Sequence, residues 1–289
     1  MASAARRTSQ LPMSQQLAII AGAGRFPFHV AQAAKRQGLG VVAMGIQGWV
    51  DPTLASQVDV YEELPIGKLG RLIDRLKTHQ VKQAILAGKV TKDVLLRQRA
   101  SFDVELLEVL LRVRDTSVNA LLGAIGERLA REGITLVDSS TFLKNDLCPT
   151  GVLTARQPTQ AEQEDIRIGQ EVGRAIAALD VGQTVVVKGG VIIAVEALEG
   201  TDAAIRRAGS LAKDGLVVVK SASPRQDRRF DLPVVGPDTI MTLREAGVSC
   251  LAVESGTTLL LDREALIAAA DAAGLSIIGV IPSRPPDGR

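Results

Sequence analysis

Apolar positions along this chain switch between two periods. Short β-branched runs alternate with stretches in which apolar residues recur every three or four positions. Residues 17–21 form the first run. A turn of Gly22, Ala23, Gly24 and Arg25 follows. Pro27 suits the first turn of a helix, which runs to residue 37 and stops at Gly38. Residues 41–46 predict a second strand and 58–61 a short third. Residues 67–79 predict an amphipathic helix with Leu69, Leu72, Ile73 and Leu76 on one face. A strand over 83–87, helices over 102–112 and 117–131, and a strand over 134–137 complete the first half. Strands alternating with helices predict a largely parallel sheet.

The segment 138–158 lacks period and holds Pro149 and Gly151, which predicts a connection between domains. Beyond it, Thr159 and Glu162 form a capping-box pattern for a helix over 159–179. Residues 184–188, the pair Gly189-Gly190 and residues 191–198 predict a hairpin. Thr201 or Asp202 then caps a helix to residue 213, and the run LVVVK predicts a buried strand. Pro237 opens another helix. Residues 250–254, Ser255-Gly256 and residues 257–261 predict a second hairpin. Asp262 caps a helix to residue 273, and residues 276–281 predict a last strand. The expected class is α/β: a Rossmann-like N-terminal domain over 14–140, a linker over 141–158, and a C-terminal α/β domain with a mixed sheet over 159–282. Residues 1–13 and 283–289 read as disordered tails.

Composition narrows the function. The 289 residues carry a net charge of +2 and only 2% aromatics, with one Trp and one Tyr. That gives neither the basic footprint nor the stacking surface that nucleic-acid binding uses. No apolar run reaches the roughly 18 residues that span a bilayer. Residues 1–13 lack the apolar core of a secretory signal. Cys148 and Cys250 are far apart, which points to reduced thiols in a cytosolic protein and not to a disulfide or zinc site. His29 and His79 have no ligand spacing, and His79 reads as a solvated residue at a helix end.

Four short segments carry candidate chemistry. The turn of Gly22, Ala23, Gly24, Arg25, Phe26 and Pro27 lies between a strand and a helix, where backbone amides attract phosphate. It approaches the dinucleotide fingerprint, but Pro27 replaces the third glycine and the second strand ends without an acid for a ribose. A phosphate-facing turn therefore fits better than an NAD-dependent oxidoreductase. Ala87, Gly88, Lys89 and Val90 close another strand, where ligands of open α/β sheets sit. Glu199, Gly200, Thr201 and Asp202 precede a helix. Each of these three also fits an ordinary turn or cap, and Lys188-Gly189-Gly190 reads as structural. The fourth segment, 220–233, sets Lys220, Arg225, Arg228 and Arg229 against Asp227 and Asp231. Asp231 precedes Leu232-Pro233, which holds its backbone extended. A carboxylate among cations stays ionised and suits a general base or a Mg²⁺ ligand. Together the four signals suggest a cleft between domains that takes a phosphorylated ligand.

The stretches IAGAGRFPF, AGKV, VEALEGTDAAIRR, KSASPRQDRRFDLPVVG and LDREALIAAADAAGLSIIGV, in this order and spacing, resemble the LpxI-type UDP-2,3-diacylglucosamine pyrophosphatases over residues 17–280. The resemblance implies Mg²⁺-dependent hydrolysis of UDP-2,3-diacylglucosamine to UMP and 2,3-diacylglucosamine 1-phosphate (lipid X), a step of lipid A biosynthesis. The family's functional aspartate falls on Asp231, and Lys220, Gln226 and Arg229 share that stretch. Lys220, Gln226 and Arg229, with Gly22, Ala23, Gly24, Phe26, Pro27, Gly88, Lys89, Val90, Glu199, Gly200, Thr201 and Asp202 of the other three segments, are then the expected substrate contacts. Ser117-Val118-Asn119 stands where the family carries Gly-Asp-Asp, and NDLCP where it carries Met-Thr-Leu-Pro. A lipid-linked sugar nucleotide implies an apolar groove for the acyl chains and transient contact of a cytoplasmic protein with the inner-membrane surface. A homodimer is the expected assembly. The alternatives are a non-catalytic regulator that binds a lipid–nucleotide ligand, and the oxidoreductase already weighed.

Overall fold

The structure is a computed structural model that describes residues 15–90, 102–113, 118–223, 227–230 and 232–282. The chain divides into two compact units, the first from Met1–Val90, Gln98–Arg114 and Leu121–Val137, the second chiefly from Asp138–Arg289. The tails read as disordered, 1–13 and 283–289, lie outside the described residues, as does Ser117.

The first unit is a parallel sheet of β1 (Gln16–Ala21), β2 (Gly40–Ile46), β3 (Val60–Leu64), β4 (Gln83–Ala87) and β5 (Thr135–Leu136), in the order β3-β2-β1-β4-β5. This is the expected Rossmann-like order, with β1 at the centre. The middle strands β1 and β2 are almost wholly buried, which explains their continuous apolar sequence. Helix α1 (Phe26–Arg36) packs on β1 and β2. Helices α2 (Leu69–Thr78) and α3 (Val104–Arg112) pack together, and α4 (Val118–Arg131) precedes β5. Asp103 caps α3 by accepting from Leu106 N at 2.9 Å, and its other oxygen accepts from Gly70 N at 2.8 Å.

β3 spans Val60–Leu64, not 58–61. The Asp59 carboxylate accepts from Val41 N at 2.8 Å, so strand pairing begins only beyond it, with Val60 opposite Val42. Tyr61 on this strand donates to Glu63 at 2.8 Å, and Trp49 lies in the turn after β2. His79 is not the solvated residue expected: its Nε2 lies 2.8 Å from Glu62 Oε1.

The second unit is a six-stranded mixed sheet of β6 (Gly151–Val152), β7 (Thr184–Lys188), β8 (Val191–Val195), β9 (Leu216–Lys220), β11 (Val248–Glu254) and β13 (Ser276–Val280). Its order is β6-β13-β11-β9-β7-β8. β9, β11 and β13 run parallel. β7 runs against β9 and forms the expected hairpin with β8. The buried Asp165 carboxylate accepts from Gly189 N at 2.9 Å and Gly190 N at 2.7 Å, so the Gly189-Gly190 turn is structural, as expected.

Helix α5 (Gln160–Ala178) covers one face, with Ile166 packed on Val217, Val219, Cys250 and Ala252. Its capping box is formed as expected by Thr159 and Glu162. Helices α6 (Thr201–Ala212), α7 (Pro237–Glu245) and α8 (Arg263–Ala272) cover the other face through Ile205, Ile240, Leu243 and Leu266. Burial pushes the Cys148 thiol up to about 11 and the Cys250 thiol up to about 12, and both are free.

Three expectations are corrected here. The segment read as a linker is part of the second unit: β6 pairs antiparallel with β13, Leu153 N donates to Ile277 O at 2.8 Å, and Cys148 is buried. Residues 250–261 are not a hairpin. Cys148 accepts from Gly256 N and donates to Thr258 O, which turns the chain away from β11. β12 (Leu259–Leu260) instead pairs parallel with β10 (Val234–Val235). Asp262 does precede α8, but in the left-handed region at φ 47° and with no side-chain cap hydrogen bond.

Glu62 accepts from Arg75 Nε at 2.6 Å and Nη2 at 2.5 Å as well as facing His79, and these partners hold its carboxyl down from 4.5 to about 2. A depressed carboxylate stabilises the fold above its unfolded pKa and loses that contribution as pH falls through the folded value. Because Glu62 is 23% exposed, solvent screening reduces the effect, and Glu62→Gln is expected to cost about 1 kcal/mol at pH 7. Urea titrations at pH 7 and pH 3 check it: the gap between wild type and variant narrows in acid.

Candidate functional site

In the first unit, two of the four predicted segments meet. β1 and β4 are neighbours at the place where strand order reverses, and their carboxyl ends carry the two glycine turns. In open α/β sheets this crevice is where ligands bind. Gly22 N donates to Ala87 O at 2.8 Å. Ala23 and Lys89 exchange both backbone hydrogen bonds at 2.9 Å. The crossing is tight. A Cβ on Gly88, whose φ is +96°, would lie 2.7 Å from Gly22 C, and a Cβ on Gly22 would lie 2.7 Å from Lys89 O. Only glycine allows this approach.

The crossing uses the amides of Gly22 and Ala23, which the sequence suggested for phosphate. The amides of Arg25 and Phe26 stand at the N-cap and first position of α1, where no intrahelical acceptor exists and no side chain caps the helix. Phe26 and Pro27 are both buried, and Pro27 has no N–H, so of the two only Phe26 carries a backbone donor. Gly24, Arg25, Gly88 and Lys89 are exposed, and Val90 is half-buried. Arg25 stacks over the Phe28 ring at 4.4 Å.

In the second unit the other two segments are linked at one edge of the sheet. β8 runs parallel to β9, so both end at this edge. Gly200 is the N-cap of α6 at φ 83°, and Thr201 is the first helical residue, not a side-chain cap. Thr201 Oγ1 donates to Glu196 Oε1 at 3.0 Å. Glu196 Oε2 accepts from Gln183 N at 3.4 Å, and Gln183 O accepts from Ser221 N at 2.9 Å. This relay runs from the 199–202 segment to the start of the 220–233 loop. Glu199 is bound by Arg207 at 2.8 Å, and that hydrogen bond holds its carboxyl below the usual range. Asp202 lies in the first turn of α6.

The loop is held at its root, its middle and its exit. Ser223 Oγ donates to Ala177 O at 3.2 Å at the root. At the exit, Leu259 N donates to Pro233 O at 2.9 Å. In the middle, Ser139, 1% exposed, donates from N to Arg228 O at 2.9 Å and from Oγ to Arg229 O at 2.7 Å. Arg228 Nε lies 2.9 Å from Asp138 Oδ2 but off the hydrogen-bond direction, so this is an ion pair only. Arg228 Nη2 donates to Ser140 Oγ at 3.0 Å. Asp227 takes Arg229 in a bidentate pair, which holds the Asp227 carboxyl below the usual carboxylate range. Lys220 ends β9, half-buried. Arg225, Gln226 and Asp231 lie outside the described residues.

The sequence reading missed Asp138, Ser139, Ser140 and Glu196. Asp138-Ser139-Ser140 is a turn-forming polar cluster directly after a strand, which was the available signal. Glu196 is a single acid at the end of an apolar run and gave none.

Residues 16–145 match the LpxI N-terminal domain and residues 149–278 the LpxI C-terminal domain. The chain belongs to the LpxI family. A curated relative, the UDP-2,3-diacylglucosamine pyrophosphatase LpxI of Caulobacter vibrioides, is 32% identical over 283 residues, covering 94% of this chain and all of the relative. Among solved structures, CobK precorrin-6A reductase aligns at 15% identity and a TM-score of 0.31 over 93% of this chain and 90% of that one. The biotin carboxylase domain of a thermophilic 2-oxoglutarate carboxylase aligns at 13% identity and 0.27 over 60% and 35%. Among the described residues, no helix is long and apolar enough to cross a membrane.

Two outcomes follow. Gly88→Ala forces both a left-handed backbone and a backbone clash, and is expected to cost about 2 kcal/mol or more in chemical denaturation. Ser139→Ala leaves the Arg229 carbonyl without its hydroxyl donor and is expected to cost about 1–2 kcal/mol in the same assay.

Proposed function

We propose that this LpxI-family chain hydrolyses the pyrophosphate bond of UDP-2,3-diacylglucosamine, releasing UMP and 2,3-diacylglucosamine 1-phosphate. The observation that carries this reading is the 32% identity to the Caulobacter pyrophosphatase over that protein's whole length. The cation-rich loop agrees with it, since a pyrophosphate presents two negative charges that repel an attacking water.

Asp231 is the group proposed to act on the water, as base or through a metal. Water gives up a proton to Asp231 or to solvent as it adds to one phosphorus, the bridging P–O bond breaks, and its electron pair leaves with the departing phosphate. The acyl chains of such a substrate bring the encounter to a bilayer surface.

The donors around the loop are hard oxygens, the kind Mg²⁺ prefers. Asp227 and Asp138 are engaged by Arg229 and Arg228, so Mg²⁺ would be held by Asp231 together with substrate phosphate oxygens. When bound, it neutralises phosphate charge and lowers the pKa of a coordinated water. Lys220 and the arginines offer complementary charge. Exchange of Asp227 for substrate phosphate on the Arg229 fork would keep that guanidinium paired throughout.

Purified protein is incubated with UDP-2,3-diacylglucosamine with and without Mg²⁺, and UMP and the lipid phosphate are followed. Release of both, abolished by EDTA and reduced at least about a hundredfold in Asp231→Ala, is the expected result. Near-native turnover in that variant removes Asp231 from the mechanism, and binding without turnover in the wild type favours the regulator.

A further inference from the structure

The second strand of the first unit ends without an acid for a ribose, but the structure supplies one from the neighbouring strand. Ala21 of β1 pairs with Gly45 of β2, and Gly45 pairs with Glu63 of β3. The three residues form one row across the carboxyl end of the sheet. Strands lie about 4.8 Å apart, so the Glu63 backbone stands about 10 Å from Ala21, which directly precedes the glycine crossing. In a sheet of this order, a nucleotide whose phosphate meets the start of the first helix lays its ribose beyond the second strand. Glu63 stands where that ribose would lie.

Three acids occur near this end of β2 and β3, and two are already engaged. Asp51 caps the 3-10 helix Pro52–Gln57, accepting from Thr53 N at 2.9 Å and Thr53 Oγ1 at 2.7 Å. Glu62 points to the opposite face, to Arg75 and His79 of α2. Glu63 is exposed, and among the described residues it forms no ion pair. Its Oε1 accepts from the Tyr61 hydroxyl at 2.8 Å, which orients the carboxylate and leaves Oε2 as an acceptor. The Tyr61 hydroxyl is seated over Gly45: a Cβ there would lie 3.3 Å from it and 2.6 Å from Val50 Cγ1. A larger residue at 45 would displace both side chains. A carboxylate only accepts, and the 2′,3′-diol of a ribose offers two adjacent hydroxyl donors, so the two are complementary.

Trp49 lies at the same end of the sheet. β2 ends at Ile46, Gly48 turns the chain at φ 78°, and Trp49 N donates to Ile46 O at 3.0 Å. The turn is tied to β3 by Gln47 N, which donates to Leu64 O at 2.9 Å. The chain's single tryptophan is thereby fixed beyond β2, half-buried, with Val50 buried behind it. An indole face is a stacking surface for a base. One ring is no platform for a strand of nucleic acid, but it is enough for one nucleoside. Free amides at the start of α1, a diol acceptor at the end of β3 and a ring beyond β2 are the three contacts a mononucleotide uses, all on one edge of one sheet.

We propose that Trp49 and Glu63 form a nucleoside subsite in the first unit, Trp49 stacking on the base and the Glu63 carboxylate accepting from the ribose diol, with Tyr61 as its positioning residue. The choice of uracil as the base rests on the hydrolase reading. The preference for ribose does not.

The test is isothermal titration calorimetry of UMP and 2′-deoxy-UMP on the full-length wild type, Glu63→Ala, Trp49→Ala and Trp49→Phe, with melting curves alongside. Wild type is expected to bind UMP at least about tenfold more tightly than 2′-deoxy-UMP, and Glu63→Ala to bind both within about threefold of the wild-type affinity for the deoxynucleotide. Trp49→Ala is expected to weaken both at least about fivefold and to keep their ratio, while Trp49→Phe, which keeps a ring, retains most of the affinity. Equal binding of the two nucleotides by wild type overturns the proposal, as does binding of neither. A Glu63→Ala variant that keeps the ribose preference also overturns it. A Trp49→Ala variant with a lower melting point but unchanged affinities overturns the stacking role, which is then structural only. Turnover separates the two readings. Ribose-selective UMP binding without hydrolysis of UDP-2,3-diacylglucosamine removes the hydrolase reading and leaves the subsite. Hydrolysis with KM unchanged in Glu63→Ala removes the subsite and leaves the hydrolase reading.

Discussion

The close approach of α5 to β9 governs the second unit. Gly169 and Gly173 face the strand, and a Cβ on Gly169 would lie 2.4 Å from Val219 Cγ2. Without side chains at these two positions the helix backbone descends onto the sheet, and the packing of Ile166 on β9 and β11 follows. The same descent sets the start of the loop, because Ser221 is pressed against Gly173 and Ser223 reaches the Ala177 carbonyl near the end of α5. A helix held further out would leave both serines without that framework.

Backbone hydrogen bonds, more than side-chain contacts, shape both candidate sites. Ala23 and Lys89 pair through their main chains, and so do Pro233 and Leu259, while Ser139 grips two consecutive carbonyls. Such anchors fix a loop without committing its charged side chains. Arg228 and Arg229 are nevertheless balanced by Asp138 and Asp227, so the cation cluster does not repel itself in the absence of an anion.

Much of the fold was legible because its strands are buried on both faces and read as unbroken β-branched runs, as in VVAM within β2 and LVVVK of β9. The α5 cap and the β7–β8 turn were legible because their chemistry is local. The pairing of β12 with β10 was not, since apolar runs say that a strand exists but not which strand it joins. β6 is only two residues long and carries no period. At the sites, Gly22 and Gly88 were each visible as turn glycines, yet their crossing depends on β1 and β4 being neighbours in the sheet. Ser139 and Glu196 were invisible because a lone polar residue at a strand end has many ordinary explanations.

The distribution of aromatic residues has an optical consequence. The chain holds one Trp and one Tyr, and both Trp49 and Tyr61 belong to the first unit. Tryptophan and tyrosine emission therefore reports on the first unit alone, since the aromatic residues of the second unit are the phenylalanines Phe142 and Phe230. Far-ultraviolet dichroism sees the helices of both. Two spectroscopies thus separate the unfolding of the two halves without any label, and a single tryptophan placed in the second unit would give its loop a signal free of background from its own domain.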